Sequence, residues 1–174
     1  MVWRTCVWCL TTAAMAMAAS VAGVSWSAPA GWTAQPERPM RAATYRAPAA
    51  AGDKQAGECA VYFFGTGQGG GVQANIDRWI GQFQQPDGKP SKHAAKIKKM
   101  SVHGLNVTTV DVSGTYAGMG GPMAPSHTAE AGYRLLGAIV EAPQGAVFFK
   151  FTGPAKTVAA NQGNFEKMIE SLKK

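Results

Sequence analysis

Apolar side chains recur at helical spacing in two stretches of the chain. Val72, Ile76, Trp79, Ile80 and Phe83 fall at i, i+4, i+7, i+8 and i+11, which predicts an amphipathic helix whose other faces carry Gln73, Asp77 and Gln84. Near the end, Phe165, Met168, Ile169 and Leu172 repeat at i, i+3, i+4 and i+7, and Lys173 and Lys174 suit the negative end of a closing helix. Elsewhere the pattern is that of strands. Glu58–Phe64 is a dense run of aromatic and β-branched residues, and Met40–Ala47 alternates weakly before Pro48 stops it. Lys92–Val102 and Leu105–Tyr116 read as a hairpin turning at His103-Gly104, and Tyr133–Ala142 and Ala146–Thr152 as a second hairpin around Pro143-Gln144-Gly145. The alternation in Leu105–Tyr116 shifts between Val107 and Val110, which calls for either a bulge or a strand covered on both faces. An extended segment from Val24, broken by Pro29 and Gly31, offers Trp26 and Trp32 as anchors to the core. These elements predict an α+β fold, a mostly antiparallel sheet with helices packed on it.

The first residues follow a different logic. Arg4 precedes an apolar run from Val7 to about Ala19, too short for the about 20 residues that span a bilayer, and small residues follow it. This is the pattern of a cleavable export signal. Ser20 and Ala22 supply small side chains at the third and first positions before a cut, as do Ala16 and Ala18. The expected division is a signal peptide over 1–22, cut after Ala22, and one domain over 23–174, periplasmic or secreted and without an integral membrane segment. Cys6 and Cys9 lie before or early in the apolar run, so no lipoprotein signal is formed. About 150 residues then suffice for one core and leave no room for a second domain.

Charge adds little. The chain carries a net charge of +7, but its lysines are dispersed except around Lys92–Lys99, where they suit an edge strand guarded against edge-to-edge pairing. No nucleic-acid partner is implied. Of the three cysteines only Cys59 survives leader removal, which excludes an internal disulfide, and its apolar strand makes it a small buried hydrophobe.

Candidate chemistry is sparse. Gly65, Gly67 and Gly70 satisfy G-x-G-x-x-G between a strand and a helix, yet the hairpins imply antiparallel strands, and Asp87, the acid at about the fingerprint's distance, falls in a turn. What survives is backbone N–H groups of Gly67, Gln68, Gly69, Gly70 and Gly71 at a helix N-terminus, able to hold a small anion. Met119, Met123 and His127, spaced four apart in a loop rich in glycine and proline, are a candidate Cu(I) set to which Met40, Met100 and His103 could add. Asp111 and Glu141 sit in β runs as candidate buried carboxylates. Asn75, Asp77, Arg78, Lys156, Thr157 and Asn161 are explained by local capping and ion pairing. No nucleophile elbow or paired acid and base is present, so no enzyme is expected and no cofactor is assigned.

Several segments taken together carry a resemblance: P-A-G-W at 29–32, M-R-A-A-T-Y-R-A-P at 40–48, F-F-G-T-G-Q-G-G-G-V-Q-A-N-I-D-R-W-I-G-Q-F at 63–83, V-T-T-V-D-V-S-G-T-Y at 107–116 and F-F-K-F-T-G-P-A-K-T-V-A-A-N at 148–161. The chain resembles a group of small exported bacterial proteins whose architecture looks like the PsbP-like α/β/α sandwich. That resemblance implies a non-enzymatic binding or assembly module for an envelope protein partner, with the loops at 65–71 and 117–128 as its recognition surface. The alternative is a small-anion or Cu(I)-binding protein, catalytic or not, built on the same two loops.

Overall fold

The computed structural model of the chain describes residues 18–118 and 129–174. In chain order its elements are β1 (Ala18–Val21), β2 (Val24–Ser27), β3 (Thr33–Ala34), β4 (Arg41–Ala47), β5 (Gly57–Phe63), α1 (Val72–Ile80), β6 (Phe83–Gln84), β7 (Lys96–Val102), β8 (Leu105–Tyr116), β9 (Glu130–Ala142), β10 (Gly145–Pro154) and α2 (Ala155–Glu170). Strands β3 to β10 form one sheet in the order β3-β4-β5-β10-β9-β8, with β6 and β7 sharing the outer side of β8. Each of its ladders is antiparallel. The parallel units that a dinucleotide fingerprint requires are not present among the described residues.

The two expected hairpins form. His103 and Gly104 both take positive φ, 46° and 76°, and so close the β7–β8 turn with the twist that adjoining strands prefer. The shifted alternation in β8 has its explanation in burial on both faces. Its register against β9 runs unbroken from Asn106 to Gly114; Val107 joins the core beneath α2, and Val110 the core beneath α1. An irregularity does occur, later, between Gly114 and Tyr116.

The sheet is thus the middle of three layers. On one face α2, β2 and Trp32 cover Cys59, Val61, Leu136, Ala138, Phe149 and Phe151. On the other, α1 lays Ile76, Trp79 and Ile80 over Val110, Val112, Leu135, Ile139 and Phe148. Trp79 fits because position 137 is glycine: a Cβ there would lie 2.3 Å from the indole. Trp26 and Trp32 anchor the early segment as expected. The first stands edge-on to Phe149 at 5.1 Å and donates to the Tyr45 hydroxyl at 3.0 Å, and the second donates to Asn161 Oδ1 at 2.9 Å.

Several boundaries differ from the pattern-based expectation; β9 and β10 run longer than expected, from Glu130 and to Pro154. Helix α1 stops at Ile80 before Gly81, and Phe83 reaches the same apolar cluster from β6. Of Lys92–Val102 only Lys96 onward is extended, because Ser91–His93 form a turn of 3-10 helix. The closing helix begins at Ala155, ahead of its apolar marker Phe165. The ribbon β1–β2 contains the expected leader boundary: Ala18–Val21 pair with Val24–Ser27, and Ala22 in the turn is only 6% exposed.

Candidate functional site

A groove of about 540 Å³ lies on the α2 face, where α2 lies over β9 and β10 and leaves β7 and the near part of β8 uncovered. Strand alternation puts Lys96, Lys98 and Met100 of β7 on this face, opposite Asp111, Thr109 and Val107 of β8. The helix contributes Phe165 and Ile169 at its apolar stripe and Glu166 and Glu170 beside it. The groove therefore has a basic strand wall and an acidic helix wall.

Its floor is held by Arg134. The guanidinium grips Asp111 through two bonds, Nε to Oδ1 at 2.8 Å and Nη2 to Oδ2 at 2.9 Å, and also donates to Gln162 Oε1 at 2.9 Å. Gln162 in turn donates to Glu166 at 2.8 Å. A planar fork on a carboxylate is the strong form of ion pair, and the Asp111 carboxylate pushes the Arg134 pKa further up. Asp111 thus points into the groove as half of a fixed pair, while Glu141 is exposed. Lys96 and Lys98 are exposed and form no ion pair among the described residues. Met100, 42% exposed, adds an apolar spot to the basic wall.

The opposite face carries a second polar cluster. Lys150 sits on β10 among apolar neighbours, 5% exposed, and its ammonium donates to Gln82 Oε1 at 2.7 Å and to the Tyr116 hydroxyl at 3.0 Å. Both acceptors are neutral. Burial pulls the Lys150 pKa down to about 8, and the positive charges of Arg78 and Arg41 add to the effect against Glu58. Burial likewise pushes Tyr116 up to about 12. Tyr133 stacks parallel to Tyr116 at 5.9 Å and closes the cluster from the β9 side.

The glycine loop between β5 and α1 has a structural account of its own. Asn75 reaches back from α1 and donates to the carbonyls of Gly69 and Gly71 at 2.8 and 3.0 Å, and Arg78 donates to Asn75 Oδ1. Gly69, at φ 89°, packs so closely that a Cβ would come within 2.9 Å of Phe148. Gly67, Gln68, Gly70 and Gly71 lie around it at the surface, Gly69 itself being half-buried. Met119, Met123 and His127 lie outside the described residues. The ends of the 119–128 segment are described: Tyr116 pairs with Glu130 at the start of β9, whereas Gly65 and Thr66 lie against Gly145 beyond its far end. The 13 residues of β9 separate the two, about 40 Å of strand. His103, in the β7–β8 turn, shares its Nδ1 with the Leu172 carbonyl at 2.8 Å. Cys59 is fully buried and burial pushes its thiol pKa up, which leaves it unreactive.

Sequence reasoning missed both polar clusters. Lys150 within the run V-F-F-K-F-T was the available signal, a cation in a strand that both faces of the sheet bury. The groove had none, since β7, β8, β9 and α2 each supply a part.

No family model matches the sequence, and no curated protein matches it. Among solved structures the chain is similar to PA94 of Pseudomonas aeruginosa, a protein of unknown function, with a TM-score of 0.50 at 11% identity over 91% of this chain and 96% of that one. It is also similar to the cyanobacterial PsbP, CyanoP, of Synechocystis sp. PCC 6803, with a TM-score of 0.50 at 8% identity over 87% of this chain and 86% of that one. At such identities the likeness is one of fold: the α+β, PsbP-like architecture.

Proposed function

We propose that the chain is an exported, non-enzymatic binding module that holds an acidic segment of an envelope protein partner along the β7 wall of the groove, on the side away from Glu166 and Glu170. The observation that carries this reading is the lysine wall. Lys96 and Lys98 project side by side from an edge strand, without an ion-pair partner among the described residues, over a floor in which Arg134 is already neutralised by Asp111. A carboxylate-bearing segment laid against them gains charge pairing, and an apolar side chain beside those carboxylates finds the exposed Met100. The proposed surface lies on regular elements and does not draw on the glycine loop; Met119, Met123 and His127 lie outside the described residues. No described helix is long and apolar enough to cross a membrane.

Fluorescence anisotropy with three labelled peptides of matched apolar content, acidic, basic and neutral, tests the proposal. The acidic peptide is expected to bind, to weaken steeply with added salt, and to weaken about tenfold or more against the double variant Lys96→Glu, Lys98→Glu. Equal binding of the acidic and basic peptides, or no effect of the double variant, overturns it.

A further inference from the structure

We propose that the export signal is removed between Ala18 and Ala19, so that β1 remains in the mature protein. The inference rests on the export reading and places its processing site. Cuts after Ala16, Ala18, Ser20 and Ala22 each place small residues at the third and first positions before the cut, and the one after Ala18 is the latest that keeps every packed residue of β1. They differ in what they leave behind. Along β1 the side chains of Ala18 and Ser20 are exposed, while those of Ala19 and Val21 pack on the α2-face core. Ala19 is therefore the first packed residue of the domain.

A cut after Ala22 would strip β2 of its ladder partner. It would remove Ala19 from opposite Trp26, Val21 from opposite Val24, and the buried Ala22, whose carbonyl accepts from Gln144 N at 3.2 Å. Trp26 and Val24 are now 2% and 1% exposed, and losing β1 would open both to water. A cut after Ser20 would leave only Val21 of the ribbon's first strand. Hydrolysis of the Ala18–Ala19 amide, with water supplying a hydroxyl to the Ala18 carbonyl and a proton to the new Ala19 amine, retains Ala19–Val21 whole.

Intact mass of the protein recovered from the envelope of a bacterium expressing the full chain reads the site directly. A first residue of Ala19 is the expected result. A first residue of Met17, Val21 or Gly23 overturns the placement and leaves export standing; an unprocessed chain confined to the cytosol overturns both. Ser20→Leu sharpens the reading, because Ser20 is exposed and occupies a restricted position only for the two later cuts. Normal processing of that variant is expected, and accumulation of precursor would count against the site. As a structural check, chains made without a leader as 19–174 and as 23–174 should differ in Tm by several degrees, the shorter melting first; equal Tm values would show that β1 adds nothing to the domain and would overturn the placement.

Discussion

Lys150 sets the pH profile of stability. Its pKa is about 8 in the fold against about 10.4 for a solvated lysine, so between those values the unfolded chain binds the extra proton and stability rises with pH. The gain is on the order of 2–3 kcal/mol by pH 10. Tyr45, Tyr62, Tyr116 and Tyr133 act in the opposite sense, since burial raises each of them and the folded chain keeps protons that the unfolded chain has lost above pH 10. Urea unfolding across this range should therefore show a maximum near pH 10, and Lys150→Met should abolish the rise while raising stability at pH 7. Gly137 is the matching case for shape. Gly137→Ala drives a methyl into the Trp79 indole and should cost about 2–3 kcal/mol in the same assay. Neither effect was visible in the sequence. A glycine in a strand reads as a weak point until the ring above it is known, and a lone lysine reads as solvent-facing until both faces of its strand are covered.

Helix α2 has no acidic residue in its first turn and no capping side chain at Pro154. Its N-terminus is served from a distance: Asp53 Oδ2 accepts from the Thr157 amide at 3.0 Å and from its hydroxyl at 2.6 Å. The carboxylate satisfies an orphan donor and faces the positive end of the helix dipole. Asp53→Ala should cost about 1–2 kcal/mol and loosen the first turn of α2, read as faster amide exchange at Thr157 and Val158. Local spacing assigned Thr157 and Asn161 to caps formed nearby, but Asn161 in fact joins Trp32 Nε1 and the Pro48 carbonyl. Where a face repeats over several turns, as in Val72–Ile80, the element was legible. Where the partner lies 104 residues away, as Asp53 does from Thr157, periodicity contains no trace of it.

At the scale of the molecule, the antiparallel sheet and the packed helices followed from alternation and turn residues alone. Their arrangement into three layers needed the burial of β8 on both faces, which its sequence signalled only as a broken pattern. The groove was not legible because its shape depends on where α2 ends its cover of the sheet, a matter of packing between β9 and the helix. Ser25 exchanges two backbone bonds with Lys173, at 2.8 and 3.0 Å, and Leu172 is fully buried beneath them. Strand β2 and the residues just after α2 thus close the same seam. A chain emerging from a ribosome cannot shut that seam until Leu172 and Lys173 are themselves out, so the domain locks late, whatever part of the sheet has formed before.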